Sequence, residues 1–266
     1  MDWTADSPPR GLLDPRAGAG VYREGFVPVS EDLAHIVAHH WSVRWDLRGR
    51  EPFDVEVLPS PAVVLVVEDA RCRVHGVLRG KYAQKLSGRG DIFGTTFRPA
   101  GFRTLIDRPV ADLSDRVVPG SDLFGSDADR LAARISAESD TRVRCGFAED
   151  FVRQRCDSES GCTALLNEIV DAILTDRTIV RVDDLTQRFG LGKRHLQKLF
   201  RDHAGVSPKW VIQRYRLHEA AQRLHEGYRD LAALAAELGY ADQAHFARDF
   251  KTVVGRPPAT YRGGVR

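Results

Sequence analysis

The sequence predicts an α+β protein, with a small β-rich amino-terminal domain followed by an all-α carboxy-terminal domain. Short β-like runs separated by Gly, Pro and Asp occupy the chain from about residue 41 and are typical of an antiparallel sheet or barrel. From about residue 127 the apolar residues recur with the helical period. One helical stretch then occurs twice, at 194–208 and at 244–258, which indicates a paired module.

Length and composition place the chain among globular proteins of about two domains. Its 266 residues are 42% hydrophobic and 29% charged, which is ordinary for such proteins. The longest aliphatic run, VVLVV at 63–67, is far shorter than the roughly 20 residues that span a membrane. The amino-terminal residues carry no signal pattern, and four cysteines do not make a disulfide framework. We therefore expect a cytoplasmic protein without a membrane partner.

The amino-terminal half begins with a leader rich in proline and glycine over residues 1–29. Ser30, followed by two acidic residues, predicts the start of a short helix. Five runs then predict strands, namely WSVRWDL, FDVEVL, AVVLVVE, CRVHGVL and DIFGTTF. Residues 97–125 mix turns with short helical pieces, and an amphipathic helix precedes the repeat.

The charge is distributed unequally along the chain. The net charge is only +2, but residues 178–266 contain 16 Lys and Arg against 9 Asp and Glu. Residues 1–177 contain 23 basic and 28 acidic residues. A basic segment joined to an acidic one predicts a polyanionic partner for the carboxy-terminal segment alone.

The two copies of the helical stretch share identical residues at equivalent positions. The identical pairs are His195 and His245, Phe200 and Phe250, Gly205 and Gly255, and Pro208 and Pro258. In each copy the apolar residues lie on one helix face, and basic or amide residues lie on the other. A helix, a glycine-containing turn and a second helix with this pattern predict a helix-turn-helix unit. Arg, Lys and Gln suit contacts to phosphates and to base edges.

The segment 183–262 resembles the DNA-binding domain of the AraC/XylS family of bacterial transcription regulators. The resemblance is carried by DLTQRFGLGKRHLQKLFRDHAGVSPKW and by GY-x-DQ-x-HF-x-RDFK-x-x-x-G-x-x-P. It implies two helix-turn-helix units joined by one long helix, with double-stranded DNA as the partner. It also implies RNA polymerase as a further partner. Gly192 departs from the family, which often has a serine there to cap the first recognition helix.

The resemblance implies ten candidate DNA-binding residues. Those of the first unit are Lys193, Arg194, Gln197, Lys198 and Arg201, and those of the second are Gln243, Ala244, His245, Arg248 and Lys251. Arg194, Gln197, Gln243, Ala244 and Arg248 are the candidates for base edges. For His195 and His245, a buried hydrogen-bonding role is an open alternative.

Residues 30–125 are similar to a small β-rich domain that precedes this module in an actinobacterial-type subgroup of the family. Such domains are sensory or dimerising and often cupin-like, which implies a small-molecule effector or a homodimer. Six aromatic residues are candidates for an effector pocket, with ordinary core packing as the alternative: Trp41, Trp45, Tyr82, Phe93, Phe97 and Phe102.

Together these patterns divide the chain into four parts. They are a flexible leader (1–29), the β-rich sensory or dimerisation domain (30–125), a helical linker region (126–177) and the double helix-turn-helix DNA-binding domain (178–266). The predicted function is sequence-specific transcription regulation, with one recognition helix from each unit entering successive major grooves.

Two other classes of function compete with this prediction. One is a DNA-alkylation-repair activator, in which a cysteine accepts a methyl group, but the four cysteines lack the close paired spacing of a zinc-bound thiolate. The other is a chromatin binder without sequence preference, which the mix of amide and arginine side chains disfavours. The spacing of His35, His39 and His40 is not matched by a further ligand. No enzyme activity, cofactor or metal site is therefore predicted.

Overall fold

The computed structural model describes residues 11, 13, 18, 20–156 and 161–261. Its strands are β1 (Tyr22–Val27), β2 (Val37–Leu47), β3 (Phe53–Val57), β4 (Val64–Glu68), β5 (Arg71–His75), β6 (Tyr82–Leu86), β7 (Gly88–Phe97) and β8 (Val117–Pro119). They form a six-stranded sheet in the order β1-β2-β7-β4-β5-β8 and a two-stranded sheet of β3 and β6. Every pairing described is antiparallel, as the alternating runs predict.

Strand β1 corrects the predicted extent of the leader. Residues Tyr22–Val27 pair along their whole length with β2, from Tyr22 opposite Trp45 to Val27 opposite His40. The leader predicted over 1–29 therefore includes an edge strand of the main sheet. Local sequence gave little sign of this strand, because Gly25 interrupts a short run and pairing with β2 decides its conformation. The other leader residues that the structure describes are residues 11, 13, 18, 20, 21, 28 and 29.

Short helical turns lie between β1 and β2 and between β7 and β8, as predicted. The 3-10 helices are Glu31–Leu33, Gly101–Leu105 and Val110–Leu113. The Ser30 side chain does not cap the first of them. Instead, the Ser30 backbone N–H donates to Glu149 Oε1 at 2.9 Å, so this turn is held by a contact distant in sequence.

The carboxy-terminal half of the described chain is helical. Its helices are α1 (Ser121–Phe124), α2 (Ser126–Ala137), α3 (Thr141–Arg153), α4 (Gly161–Thr175), α5 (Val182–Phe189), α6 (Lys193–Ala204), α7 (Pro208–His225), α8 (Leu231–Glu237), α9 (Gln243–Val254) and α10 (Pro258–Tyr261). Helix α7 begins as the sequence predicts, because Ser207 accepts from the Trp210 backbone N–H and Pro208 occupies the first turn.

One hydrophobic cluster runs from the sheet through α2–α4 into the first helix-turn-helix unit. Phe97 of β7, Ile169 of α4 and Phe200 of α6 belong to it, and each is 0% exposed. The region 126–177 is therefore more than a linker, since α4 contacts both α6 and α7. Ser114 Oγ also donates to Gly205 O at 2.6 Å, which joins the 3-10 helix Val110–Leu113 to the end of α6.

A second cluster contains the second helix-turn-helix unit and two residues from the amino-terminal half. Leu13 and Leu58 are buried in it together with Phe246 and Phe250. Tyr261 Oη donates to Leu13 O at 2.8 Å across 248 positions of sequence. The core of the second unit is thus completed by residues far from it along the chain.

No helix within the described ranges is sufficiently long and apolar to cross a membrane.

Candidate nucleic-acid interface

The first helix-turn-helix unit consists of α5 and α6. Gly190 ends α5 in the left-handed conformation, with φ of 64°, which glycine adopts without strain. Leu196, Leu199 and Phe200 are buried on the inner face of α6. Burial of this face fixes which side of α6 remains in solvent.

The amino terminus of α6 lacks a side-chain cap. Gly192 is the N-cap residue, with extended φ of −69° and ψ of 148°, and no side chain accepts from the first turn. The departure from the family noted at this position therefore leaves the first helical N–H groups to solvent.

Replacing Gly192 by serine is expected to stabilise the protein by a few tenths of a kcal/mol, because serine supplies a hydrogen-bond acceptor at a backbone conformation that already suits an N-cap. Urea unfolding followed by circular dichroism measures the gain. As a control, Gly190→Ser is expected to lower stability, since residue 190 has φ of 64°. An unfolding midpoint that did not rise in Gly192→Ser would contradict the assigned cap position.

The second unit consists of α8 and α9 and is capped at both helix starts. Asp230 accepts from the backbone N–H groups of Ala232 and Ala233. Asp242 accepts from the His245 backbone N–H at 2.7 Å. Gly239, with φ of 72°, makes the turn between the two helices. This unit is therefore better capped than the first.

All ten sequence-predicted DNA-binding residues are exposed on α6 and α9. They are Lys193, Arg194, Gln197, Lys198, Arg201, Gln243, Ala244, His245, Arg248 and Lys251. The buried residues of α9 are Phe246, Phe250 and Val254, on the opposite face. The structure thus gives each unit one outward face of basic and amide side chains.

The exposed basic residues differ in their partners. Lys193 pairs with Asp183 at 2.5 Å, and Lys198 pairs with Asp202 at 2.8 Å. Arg201 also contacts Asp202, at 3.1 Å. Among the described residues no ion pair involves Arg194 or Arg248. These two guanidinium groups are available to a ligand without breaking an existing pair.

The two equivalent histidines are both exposed, so burial is not their role in this structure. His245 Nε2 lies 3.5 Å from Asp249 Oδ2. Its ring also contacts Tyr240 edge-on, with a centroid distance of 5.2 Å. His195 is likewise exposed, on α6.

The amino-terminal half contains a cavity of about 450 Å³ between the two sheets. Two of the six predicted pocket aromatics, Trp41 and Tyr82, line it. The other four are buried outside the lining: Trp45, Phe93, Phe97 and Phe102. The sequence analysis did not predict the other residues of the wall. Alternate residues of a strand face the same side of a sheet, so Val43 could have been predicted from Trp41, and Val66 from Val64.

The polar groups of the cavity are few and mostly paired. Trp41 Nε1 donates to Thr96 Oγ1 at 3.1 Å, and Tyr82 Oη donates to Gln84 Oε1 at 2.6 Å. Burial lowers the pKa of His75 to about 4, so its ring is neutral at pH 7. The wall is largely apolar, and its charged groups include the ion pair of Arg73 with Glu68 at 3.4 Å. Such a lining suits a small, mainly apolar molecule.

The four cysteines remain separate thiols. Burial raises the pKa of Cys72 to about 12 and that of Cys145 to about 11. These two buried thiols therefore stay protonated at pH 7 and are poor nucleophiles. Within the described ranges no three His, Cys, Asp or Glu residues are grouped to hold a metal ion.

Protein-family models match a segment in each half of the chain. A helix-turn-helix domain model matches residues 185–264. A domain of unknown function (DUF6597) matches residues 26–119. The first match begins within α5 and covers the rest of both units described above, and the second covers most of the β-rich region.

The named relatives each match about a third of this chain. The raffinose operon transcriptional regulatory protein RafR of Pediococcus pentosaceus is 33% identical over 82 residues, which are 31% of this chain and 30% of RafR. This chain thus spans less than a third of RafR's own length. The transcriptional activator AarP of Providencia stuartii is 32% identical over 103 residues, or 38% of this chain and 75% of AarP.

Among solved structures, ToxT from Vibrio cholerae aligns over 91% of this chain and 98% of its own, with 10% identity and a TM-score of 0.41. The family assignment rests on the sequence relatives, because the match to AarP includes three quarters of that protein. None of these relatives is named as a DNA-alkylation-repair protein. With two helix-turn-helix units of the predicted construction, the chain belongs to the AraC/XylS family of helix-turn-helix transcription regulators.

Proposed function

We propose that the protein is a sequence-specific transcription regulator that reads two successive major grooves with α6 and α9. The observation that carries this proposal is the exposure of Arg194 and Arg248 on the outward faces of equivalent helices, each without an ion-pair partner among the described residues. Free guanidinium groups can bond bidentately to guanine O6 and N7. Lys198, Arg201 and Lys251 are suited to phosphates.

The repeat itself has a geometric reason in this proposal. Successive major grooves on one face of B-DNA are about 34 Å apart. Two recognition helices in one chain would then contact a site of roughly 20 bp without a second copy. The basic balance of residues 178–266 supports the same partner, since phosphate contacts supply much of the affinity for DNA.

The cavity between the sheets is the proposed effector site. A ligand changes DNA affinity only if it binds the DNA-competent and incompetent states differently. The volume of about 450 Å³ and the apolar wall favour a small, mainly apolar effector. AarP is named as an activator, and we extend activation, with RNA polymerase as partner, to this chain. Homodimer formation through the β-rich region is a further part of the proposal.

Fluorescence anisotropy with the DNA upstream of its own gene, beside a scrambled fragment, tests the central proposal. Both titrations are run over a salt series, because phosphate contacts make affinity fall steeply with salt. Tighter binding to the upstream fragment is the expected result. Absence of binding to either fragment at low salt would overturn the proposed function.

Replacing Arg248 by alanine is expected to weaken specific binding by ~1–3 kcal/mol and to relax the preference at one operator position, as loss of a base contact does. Lys251→Ala on the same helix is the matched comparison. It should weaken binding to specific and scrambled DNA alike and reduce the salt slope by about one. Equal losses on both DNAs in Arg248→Ala would remove its base-reading role.

A further inference from the structure

Helix α7 contains a buried arginine whose hydrogen bonds leave the DNA-binding region altogether. Arg214 is 1% exposed. Its Nη1 donates to Pro59 O at 3.3 Å, and its Nη2 donates to Arg79 O. Among the described residues no carboxylate pairs with it, and Asp115, which acts on it at longer range, pairs with Arg79. Burying an unpaired guanidinium is costly, so the position calls for a specific role.

One acceptor, Pro59 O, lies in the wall of the cavity, and the other, Arg79 O, directly follows a wall residue. Leu58, Pro59 and Ser60 line the cavity directly. Gly76 and Leu78 line it from a second segment, and Arg79 follows Leu78 immediately. One guanidinium therefore holds two separate wall segments, 58–60 and 76–79, against the same helix. His218, one turn further along α7, adds a contact of 3.4 Å between its Nε2 and Pro59 O.

The position of Arg214 within α7 links the wall to both DNA-reading units. Residues Val211 and Tyr215 lie in the cluster of the first unit. Leu217 and Leu224 lie in the cluster of the second unit. Arg214 thus lies at the point along α7 where the helix leaves the first cluster and enters the second. A shift of α7 at this point would change the relative orientation of the two units.

The wall segment is also part of the second core. Leu58 lines the cavity and is packed with Leu217 in the second cluster. A molecule that displaced residues 58–60 would therefore act on α7 through a packed side chain and through the hydrogen bonds of Arg214. Packed cores switch between discrete arrangements and do not deform continuously. A displacement of residues 58–60 is therefore passed on to α7 and is not taken up locally.

We propose that Arg214 is the positioning residue through which occupation of the cavity alters DNA affinity. This inference rests on the proposed function. Burial lowers the pKa of Arg214 to about 10 and that of His218 to about 3, so at pH 7 the arginine remains a cation and the histidine a neutral donor. The contacts of Arg214 and His218 with the carbonyls of Pro59 and Arg79 therefore exist in one protonation state at pH 7.

A cavity-filling substitution tests this without knowledge of the effector. Val43 lines the cavity from β2, outside both wall segments. Val43→Trp is made in the wild-type chain, in Arg214→Met and in Arg216→Met, and anisotropy gives the Kd of each for the upstream DNA. Arg216 is the matched control, because it lies on the same helix and donates to the carbonyls of Leu238 and Ile179, which are not in the cavity wall.

In the wild-type chain and in Arg216→Met, Val43→Trp is expected to change the Kd at least about fivefold, the lower end of typical allosteric coupling. In Arg214→Met the change in Kd is expected to fall below about twofold, because this substitution removes the hydrogen bonds that couple the cavity wall to α7. The double-mutant cycle measures that coupling. A merely structural role of Arg214 would lower the melting temperature and leave the fold-change intact.

Two results would overturn the inference. One is an unchanged Kd on filling the cavity of the wild-type chain, and the other is an equal change in all three backgrounds. Arg214→Lys, which keeps the charge but has no fork to bridge two carbonyls, replaces Arg214→Met if the latter does not fold. Failure of the proposed function is distinguished from both, because the wild-type chain would then show no preference for the upstream DNA.

Discussion

Replacing Arg194 and Arg248 together by alanine is expected to lower the affinity for specific DNA by ~2–6 kcal/mol, twice the loss of one base-reading arginine. The two losses should add, because the side chains are exposed on different helices whose cores form separate clusters. Anisotropy titrations of the double variant and of both single variants on one DNA fragment measure this. Circular dichroism should be unchanged, since neither side chain is buried.

The control for this double variant removes the same charge elsewhere. Arg50 and Arg71 are exposed in the amino-terminal half and belong to neither α6 nor α9. Arg50→Ala with Arg71→Ala should leave specific binding nearly unchanged. A comparable loss in this control would mean that net charge alone governs binding. Strong sub-additivity of the Arg194 and Arg248 losses would mean that the two helices do not read DNA independently.

Alanine at either of the equivalent phenylalanines, Phe200 and Phe250, is expected to cost about 3–5 kcal/mol of stability. Both side chains are 0% exposed. They lie in different clusters, however, and the cluster of Phe200 extends through α4 into the main sheet. Phe200→Ala should therefore speed amide exchange in β2 and β7 as well as in α6. Phe250→Ala should speed exchange mainly in α8 and α9.

Hydrogen exchange followed by mass spectrometry distinguishes these patterns segment by segment. Chemical unfolding gives the total loss for each variant. If Phe250→Ala exposed the strands as much as Phe200→Ala does, the two clusters would unfold as one unit. If neither variant lost more than about 1 kcal/mol, the burial of both rings would be of little consequence to stability, against the usual cost of such cavities.

The helix-turn-helix region was the most predictable part of the fold. Its helices carry a strong period of apolar residues, and its turns carry glycines, so the amino-acid pattern alone marks Leu196 and Phe200, or Phe246 and Phe250, as the inner faces. The exposure of the ten candidate residues follows from the same period. Their roles as DNA contacts remain predictions.

The antiparallel arrangement of the sheet was predicted, but not all of its strands were. Strands β1, β6 and β8 were not among the predicted runs, because each depends on a partner strand for its conformation. Only two of the six predicted pocket aromatics line the cavity, for a related reason. Aromatic residues signal burial, but whether Trp41 faces a cavity and Phe97 faces packed core depends on how the sheets meet.

Arg214 shows what a sequence pattern cannot reveal. A basic residue on a helix is ordinarily assigned to the solvent side. The ring of Trp210 lies 4.4 Å from the Arg214 guanidinium, but a tryptophan four residues earlier in the sequence does not indicate that the arginine is buried. Its acceptors are 155 and 135 positions away in sequence. Only the folded chain shows that these carbonyls converge on α7.

The packing of Leu13 and Leu58 into the second unit bears on how the chain folds as it is synthesised. Translation proceeds from the amino terminus, so both leucines leave the ribosome long before Phe246, Phe250 and Tyr261 exist to cover them. Until then the nascent amino-terminal half presents an uncovered apolar surface beside the 58–60 segment. Residues of the second unit therefore close a surface made by residues that are translated much earlier, and a chain truncated before α9 would be exposed to aggregation through that surface.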